Sequence, residues 1–314
     1  MTFIPDTLPA HATHPLYENE QFFGKDDMKS VHCYFHDNAF KFPIGMHQHT
    51  FYEINLITSG KGIHYINHEK MEIETGDLFI LPPNTEHGYF DISDLKIFHI
   101  LLDSKFFSLY KRYLKAMDGY DSLFNIEPKL RTPKNKNSFL HLSNAQFKQI
   151  SSYIDCLFQH IEPNIYEYNT QTAIVFQMIC AFCRYYKEAI FPAQSSRLNT
   201  AYTPIIIYAM EYINKNLSNK LTVSSIATQL FISSTTLKRY FTKIVGIPPM
   251  QYVTKQRIEQ SKKLLQKTDK SITSIAYESG FCDSSHFIHQ FKKIVGITPL
   301  EYRRSTFNKN DLTL

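Results

Sequence analysis

The chain has 314 residues, which is long for one hydrophobic core and sufficient for two domains. Its 43% hydrophobic and 14% aromatic residues exclude an intrinsically disordered protein. The net charge of +5 is unevenly divided, because residues 203–314 carry 16 Lys and Arg against seven Asp and Glu, whereas residues 1–202 are mildly acidic. A surface that binds a polyanion is therefore expected in the C-terminal part.

The N-terminus and the longest apolar stretch both favour a protein that is neither secreted nor inserted in a membrane. The first 20 residues lack the basic start and apolar run of a secretory signal. The apolar stretch near residues 173–182 is about half as long as a membrane span requires. The five cysteines, an odd number, show no spacing typical of a disulfide framework. These features predict a cytoplasmic protein with no membrane partner.

In chain order, the first predicted region is rich in strands and the second is helical. Residues 30–105 contain short β-type runs such as FYEINLIT, GIHYIN and GDLFIL between turn sequences, which predicts a small antiparallel barrel or sandwich. Apolar residues from Phe147 to Ile161 then recur every three or four positions, which predicts a helix, and a second helix is expected near residues 170–187. The first helix's apolar stripe fits either dimer contacts or packing against its own barrel.

An internal repeat is the most informative feature of the C-terminal part. The segment KIVGIPPMQY, which starts at Lys243, recurs fifty residues later as KIVGITPLEY, with seven of ten positions identical. Upstream, Ala227 corresponds to Ala276 at an offset of 49. The change of offset indicates one extra residue in the turn of the second copy.

Each copy has the features that a helix-turn-helix unit requires. Ala227 and Ala276 are small enough to lie where the first helix crosses the second. The second helix of each copy has an N-cap residue, Ser233 in the first copy and Asp283 in the second. A glycine that can adopt the left-handed conformation ends that helix, Gly246 or Gly296. A proline then opens the next helix, Pro249 or Pro299. Two units with matching caps predict a doubled helix-turn-helix.

Each second helix should bury one stripe and expose the opposite face. The inward residues are predicted to be Leu237, Tyr240, Phe241 and Ile244 in one copy, and Phe287, Phe291, Ile294 and Val295 in the other. The opposite faces carry hydroxyl, Lys, Arg and His groups, which can bond base edges and phosphates in the major groove. A connecting helix is predicted over residues 249–267, with a length of roughly 27–28 Å. A connector of this length can place the two recognition helices about one turn of the DNA duplex apart. A single helix pair with a basic surface also occurs in proteins that bind no nucleic acid. The presence of two such units in one chain favours DNA binding.

The C-terminal part resembles the AraC/XylS family of bacterial transcription regulators. The resemblance covers about 100 residues and is carried by AYESGFCDSSHFIHQFKKIVGITPLEYRR (276–304) and by the connector RIEQSKKLL (257–265), in which Ser261 replaces the usual alanine. It implies docking of the two units in adjacent major grooves, usually as a homodimer on direct repeats of a double-stranded DNA operator. It also implies transcriptional activation, with RNA polymerase as a further partner.

Residues at matching positions are implied to contact DNA. The set comprises Thr235, Lys238, Arg239, Lys243, Ser284, Ser285, His286, His289, Lys292 and Lys293. His289 stands where the family commonly has arginine, so the second helix carries less fixed charge. We therefore expect its base contacts to be weaker or differently specific, with Lys292 and Lys293 positioning the protein on phosphates.

The β-rich region carries a second pattern, which resembles the two motifs of the cupin barrel. H-x-H-x3-E-x6-G begins at His47 and G-x5-P-x4-H ends at His87, with Asn84 in place of the usual glycine. His47 and His49 lie two apart on a strand and so point to the same face, into a barrel, and Glu53 shares their parity if the strand is continuous.

His47, His49, Glu53 and His87 fit more than one chemistry. They suit a divalent transition metal, as in a cupin oxygenase or isomerase, or a merely polar barrel interior. In sugar-responsive members of the AraC family, similar residues look like pocket-lining partners of a small polar effector, so the resemblance favours an effector site. The neighbours Phe51, His64, Tyr65 and Tyr89 would suit stacking on a sugar ring, although parity does not decide which of them face inward.

The fold class predicted is α+β and multidomain. It comprises a cupin-like β-barrel with a helical dimerisation segment (1–190), a linker (191–202), an all-α double helix-turn-helix (203–305) and a C-terminal tail (306–314). The predicted function is sequence-specific DNA binding by a regulator, with activation and a carbohydrate effector as the first expectations. No enzymatic activity and no cofactor are expected. The alternatives are a metal-binding sensor or enzyme domain fused to the DNA-binding unit, and a non-carbohydrate effector.

Overall fold

The chain forms two compact units, residues 1–204 and 205–314. The computed structural model describes residues 16–23, 29–36, 44–67, 69–131, 139–158, 165–190 and 202–310. Except for Tyr202, the predicted linker lies outside these residues, so the exact domain boundaries stay a prediction. Within the described ranges, no helix combines the length and the apolar character needed to cross a membrane.

Eight strands among the described residues build the first unit. They are β1 (Leu16–Tyr17), β2 (Val31–His36), β3 (Ile44–His49), β4 (Tyr52–Ile66), β5 (Glu69–Glu74), β6 (Asp77–Leu81), β7 (His87–Leu102) and β8 (Leu140–His141). Their hydrogen-bonded order is β1-β3-β7-β4-β6-β8, while β2 pairs with β7 and β5 with β4. The pairings are antiparallel, apart from that of β1 with β3, which is parallel.

The two longest strands, β4 and β7, each take part in both sheets of the barrel, because each pairs with different strands along its length. The first half of β4 pairs with β6 and its second half with β5, while β7 pairs first with β3 and then with β2. Register shifts between Ile57 and Ile63 bend β4, and such bulges let a strand pass from one face to the other. The predicted antiparallel barrel and the α+β class are confirmed.

The barrel interior is apolar at one end. Its buried core there comprises Ile57, Ile66, Met71, Ile73, Phe79, Leu81, Tyr89, Leu95 and Ile97. Alternating apolar residues on short strands build this core because successive side chains of a strand point to opposite faces. The other end of the interior is polar and holds the histidine residues described below.

The first unit also contains five α-helices and a π-helical turn among its described residues. They are α1 (Asn19–Phe23), α2 (Ser104–Ala116), a π-helical turn (Ser122–Ile126), α3 (Glu127–Leu130), α4 (Asn144–Phe158) and α5 (Ile165–Ile190). Ile150, Ile154 and Leu157 of α4 are buried within a single chain, and Phe158 stacks on Phe35 of β2 at 5.4 Å. The apolar stripe of α4 therefore packs within its own unit; Ile161 lies outside the described residues, and a dimer role stays a prediction.

The second unit is all helical within the described residues. Its helices are α6 (Tyr202–Lys215), α7 (Val223–Gln229), α8 (Ser234–Val245), α9 (Pro249–Lys267), α10 (Ile272–Glu278), α11 (Ser284–Val295) and α12 (Pro299–Asn310). The pairs α7–α8 and α10–α11 are the two helix-turn-helix units, and α9 is the predicted connector with the predicted bounds. The turn of the second unit, residues 279–283, is one residue longer than that of the first, residues 230–233, as the offset indicated.

The helix caps and the buried stripes follow the sequence prediction closely. The Ser233 and Asp283 side chains accept hydrogen bonds from backbone N–H groups at the starts of α8 and α11. Gly246 and Gly296 end these helices in the left-handed conformation, at φ 82° and 92°. The prediction for Ile294 was wrong: it is 40% exposed, because Val295, one residue on, packs against the core in the last turn of α11.

Candidate functional sites

The structure brings the four polar side chains predicted for the sensor into one buried cluster. β3 supplies His47 and His49, β4 supplies Glu53, and β7 supplies His87. His47 lies opposite His87 in the β3–β7 ladder, with ring centroids 4.1 Å apart. The Oε2 of Glu53 lies 2.9 Å from His49 Nε2 and 3.2 Å from His87 Nε2. Glu53, His49 and His87 are almost fully buried, and His47 is half-buried.

The backbone holds the three histidine rings of this cluster through their Nδ1 atoms. The Nδ1 atoms of His47, His49 and His87 lie 2.9, 2.7 and 3.2 Å from the carbonyl oxygens of Gly45, Phe51 and Thr85. A carbonyl oxygen only accepts, so each Nδ1 must carry the proton. The Nε2 atoms are therefore the ring nitrogens left to face the interior, and in His49 and His87 they face Glu53.

Two further histidines reach the same interior: His99, which the sequence prediction missed, and His64, which it named as a neighbour without deciding the face. His99 Nδ1 is 2.5 Å from Glu53 Oε1, and its ring stacks on Tyr34 at 4.6 Å. The period of two along β7 from His87 reaches His99, so a longer predicted strand would have found it. His64 is fully buried, but it lies an odd number of residues from Glu53, and only the register shifts of β4 turn it inward.

The aromatic neighbours divide between the two faces of the barrel wall. Tyr89 is fully buried and stacks on His64 at 4.1 Å, and Phe51 is buried with its ring stacked on His49 at 4.6 Å. Tyr65 is half-buried against Phe90 and faces the other way along β4. The barrel interior therefore combines imidazole, carboxylate and aromatic groups.

Burial and neighbouring groups set the charges in this cluster. Burial, reinforced by the nearby His87, lowers the pKa of His47 to about 4. Burial likewise lowers the pKa of His64 well below its ordinary value. Burial by itself raises the pKa of Glu53, but the surrounding imidazoles of His49, His87 and His99 outweigh it and hold that pKa well below its ordinary value. At neutral pH the interior thus contains the Glu53 carboxylate together with His47 and His64 rings that burial keeps neutral.

Asn84 explains how this barrel tolerates the loss of a motif glycine. It has φ 62°, in the left-handed region that glycine adopts freely. Asparagine is one of the few other residues enriched in that conformation. Its backbone N–H donates to the carbonyl of His49 at 2.8 Å, so the turn before β7 is tied directly to the histidine strand.

A separate cavity of about 600 Å³ lies on the outer side of the β4–β5 hairpin. Its lining includes Glu72, Glu74, Asp91 and Phe139, and also Asp77, whose Oδ1 lies 2.7 Å from His141 Nδ1. None of the predicted sensor residues lines it. It is therefore a second place where a small polar molecule could bind.

In the first helix-turn-helix unit, α8 exposes the residues implied to contact DNA. Leu237 and Phe241 are fully buried, whereas Thr235, Lys238, Arg239 and Lys243 are exposed. The guanidinium of Arg239 lies over the Tyr240 ring at 4.5 Å. This face of α8 thus presents three cationic side chains, one of them supported by an aromatic ring.

In the second unit, α11 exposes a less charged face. The exposed residues are Ser285, His286, His289, Lys292 and Lys293, and Ser284 is half-buried. Asp283 caps the helix through the N–H groups of Ser285 and His286, and the His286 ring contacts Phe281 edge-on at 5.8 Å. The fixed positive charge lies in the last turn, at Lys292 and Lys293.

Comparison with known proteins gives matches in both units. A helix-turn-helix domain family matches residues 226–305, and the AraC-like ligand binding domain family matches residues 31–152. The chain is 26% identical over 273 residues to the HTH-type transcriptional activator RhaR of Mannheimia succiniciproducens, covering 85% of this chain and 90% of that protein. It is 28% identical over 257 residues to RhaS of the same organism, covering 82% and 88%. RhaS of Pectobacterium carotovorum is 24% identical over 274 residues, with 84% and 89% covered.

A ligand-binding β-barrel joined to a doubled helix-turn-helix defines a DNA-binding, effector-responsive transcription regulator. The two family matches together span more than half of the chain. The chain belongs to the AraC family of transcription regulators, as the sequence resemblance predicted.

Proposed function

We propose that this protein is a transcriptional activator whose DNA affinity is controlled by a small polar effector, a carbohydrate in the first instance, bound inside the barrel. The observation that carries the proposal is the buried polar cluster around Glu53, in a family where the barrel is the ligand-binding domain. The curated relatives described above are named as transcriptional activators, which supports activation here. A regulator of this kind works in the cytoplasm, with DNA and RNA polymerase as its partners.

The effector is proposed to bind through His47, His49, Glu53 and His87. Three buried ring nitrogens of the interior have no hydrogen-bond partner among the described residues, namely His99 Nε2 and both ring nitrogens of His64. Unpaired buried polar atoms are costly, so a ligand that satisfies them is stabilised relative to water. Hydroxyl groups, which donate and accept, match such a mixed lining, and Phe51 and Tyr89 offer apolar ring faces.

DNA recognition is proposed for the exposed faces of α8 and α11. Thr235, Lys238, Arg239 and Lys243 act from α8, and Ser284, Ser285, His286, His289, Lys292 and Lys293 act from α11. The N-terminal ends of both helices are capped, and a recognition helix in the major groove contacts base edges with its N-terminal residues.

A homodimer is proposed on family grounds, with contacts from the α4–α5 region. Tyr166 is 79% exposed and Ile165 39% exposed at the start of α5, so apolar surface is present on this side. We propose no catalytic role for the barrel: the curated relatives are regulators by name, and an effector site accounts for its polar interior.

A thermal-shift screen of the full-length protein against aldopentoses, aldohexoses and deoxyhexoses tests the effector site. A bound sugar at about 100 times its Kd should add about 2.7 kcal/mol to the free energy of unfolding and raise Tm by several degrees. The Glu53→Gln variant should lose this rise, because an amide replaces the one carboxylate of the cluster.

The Glu72→Gln variant is the matched control, since Glu72 lines the outer cavity and does not reach the cluster. It should keep the full rise in Tm. If no sugar raises Tm, the carbohydrate proposal is wrong. If Glu72→Gln abolishes the rise and Glu53→Gln preserves it, the effector binds in the outer cavity.

A further inference from the structure

The carbonyl oxygen of Leu217 is the meeting point of three segments of the DNA-binding unit. Leu217 lies in the loop, residues 216–222, that joins α6 to α7. The Nε–H group of Arg257, in the middle of α9, donates to this oxygen at 3.0 Å. The backbone of Gly280, in the turn between α10 and α11, lies so close to the same oxygen that a Cβ there would be 1.9 Å from it. The loop, the connecting helix and the second turn are therefore in direct contact.

Arg257 holds the loop at two points, because its guanidinium group carries several donors in a fixed planar arrangement. Besides the bond to Leu217, it donates through Nη2 to the carbonyl of Asn219 at 2.9 Å. The guanidinium also lies 5.9 Å from the ring centroid of Phe281, which directly follows Gly280. A group with fixed donor directions sets the orientation of the loop as well as its distance from α9.

A further hydrogen bond joins the loop to the second helix-turn-helix unit. The Oγ of Ser218 donates to the carbonyl oxygen of Glu278, at the end of α10, at 3.0 Å. Three consecutive loop residues, 217–219, thus contact α9, α10 and the second turn. These loop residues, together with Arg257, Glu278 and Gly280, are called the clamp below.

On one side, the clamp determines where α11 lies. Phe281 is 4% exposed and belongs to the hydrophobic core of the second unit. Its ring packs against Phe287 of α11, with the centroids 5.2 Å apart, and contacts the His286 ring edge-on at 5.8 Å. A displacement of Gly280 would therefore move Phe281 and, through it, the helix that presents His286.

On the other side, the clamp is joined to the first helix-turn-helix unit. The loop ends at Thr222, the N-cap residue of α7, so it is continuous with the first helix of that unit. Tyr252 of α9 donates its hydroxyl to Asn214 Oδ1 of α6 at 3.3 Å, and its ring lies 5.5 Å from that of Phe241 of α8. The loop held by Arg257 is thus fixed relative to α8.

We propose that Arg257 is a positioning residue for DNA recognition, which through the clamp fixes the orientation of α11 relative to α8. The proposal rests on the DNA-contacting faces proposed above for these two helices. The connecting helix α9 sets the distance between the two units, whereas contacts away from its axis are needed to resist rotation about it, and the clamp supplies them. Because each base pair advances the duplex by about 3.4 Å, a clamped pair of helices accepts only one spacing between the two DNA segments that a single chain contacts.

Binding of the full-length protein to three duplexes tests the proposal. The first duplex is selected by the unchanged protein from a randomised pool, and the other two have one base pair more or one fewer between the two contacted segments. The unchanged protein should prefer the first duplex roughly 5–150-fold, which corresponds to the loss of one good base contact. Arg257→Lys keeps the positive charge but loses the two-point contact, so this preference should fall by about threefold or more. Fluorescence anisotropy at one fixed salt concentration measures all three affinities.

The Lys262→Gln variant is the matched control, because Lys262 is a cation of the same helix whose ion pair, with Glu259, lies within α9. Its spacing preference should equal that of the unchanged protein, and a loss equal to that of Arg257→Lys would overturn the proposal. A purely structural role of Arg257 would lower the affinity for all three duplexes by one factor, so an unchanged preference in Arg257→Lys also overturns it.

Circular dichroism shows whether Arg257→Lys is folded. If it is not, Ser218→Ala decides in its place, because Ser218 is exposed and its hydroxyl joins the clamp from the surface. A reduced spacing preference in Ser218→Ala supports the clamp, and an unchanged preference overturns it.

Failure of the clamp proposal can be distinguished from failure of the proposed DNA contacts. If the unchanged protein binds all three duplexes equally, α8 and α11 do not contact DNA together and both proposals are wrong. If the unchanged protein shows the preference and Arg257→Lys retains it, the clamp proposal alone is wrong.

Discussion

At the scale of single residues, the turns of the two helix-turn-helix units place different residues in the same left-handed backbone conformation. Gly280 has φ 88° in the second turn, and Phe231, its counterpart at an offset of 49, has φ 54° in the first. A left-handed phenylalanine is unusual, because its Cβ crowds the following carbonyl. Phe231 is 79% exposed, so its side chain has room, whereas Gly280 is buried.

The Gly280→Ala substitution should strongly destabilise the second unit. A Cβ there would lie 1.9 Å from the backbone oxygen of Leu217, in addition to the strain of the positive φ. We expect a loss of roughly 2–4 kcal/mol in the free energy of unfolding, measured by urea denaturation of the full chain.

The matched control is Gly246→Ala, at φ 82° with no atom within 4 Å of the added Cβ. It should lose only about 1 kcal/mol, because backbone strain acts there alone. Equal losses in the two variants would show that the close approach to Leu217 is unimportant.

At the scale of elements, α8 and α11 share a scaffold but differ in the surface that they present. Both begin at a capped residue and bury two large side chains, and both end at a left-handed glycine. On the exposed faces, α8 carries Lys238 and Arg239 mid-helix, where α11 carries Ile288 and His289. Arginine and lysine bond guanine through both O6 and N7, whereas a histidine ring presents one nitrogen to a base edge at a time and cannot make that paired contact.

We therefore expect α8 to supply more of the sequence-specific affinity than α11. The Lys238→Ala/Arg239→Ala double variant should lose roughly 5–150-fold in the ratio of operator affinity to scrambled-duplex affinity, since one good base contact contributes about 1–3 kcal/mol of discrimination. Fluorescence anisotropy against operator and scrambled duplexes, at one fixed salt concentration, measures the ratio.

The His286→Ala/His289→Ala double variant is the matched comparison on the second helix. It should lose less of the operator-to-scrambled ratio than the α8 variant loses. A larger loss from the histidine pair would contradict the assignment of the main base contacts to α8.

At the scale of the whole molecule, effector control requires that the barrel and the DNA-binding unit influence each other. The barrel interior and the exposed helix faces belong to separate compact units, so the effector acts on DNA affinity through a coupling free energy. Such couplings typically change affinity about 5–150-fold, and they are reciprocal by thermodynamic necessity.

Saturating effector should therefore raise operator affinity, and saturating operator should raise effector affinity by the same factor. Titration calorimetry with each ligand in the presence and absence of the other measures both factors. Unequal equilibrium factors would point to a change of assembly state between the two titrations. A factor of one in both directions would contradict effector control of DNA binding.

Much of the DNA-binding unit could be read from the sequence because its determinants are short-range. Caps such as Ser233 and Asp283, the left-handed Gly246 and the buried stripe of α8 act within one or two helical turns. The repeat then related the second copy to the first. Ile294 was misplaced because the choice between it and Val295 depends on packing against the core rather than on helical period.

The sequence by itself determined the doubled helix-turn-helix, its family and the residues of the barrel motif, since these lie in continuous segments with local geometry. Only the tertiary structure placed His64 and His99 beside Glu53, because bulges in β4 and the full length of β7 decide which side chains face inward. The tertiary structure also fixed the ring orientations, through the carbonyls of Gly45, Phe51 and Thr85. Strand register and hydrogen-bond direction depend on contacts between distant segments, which no local pattern contains.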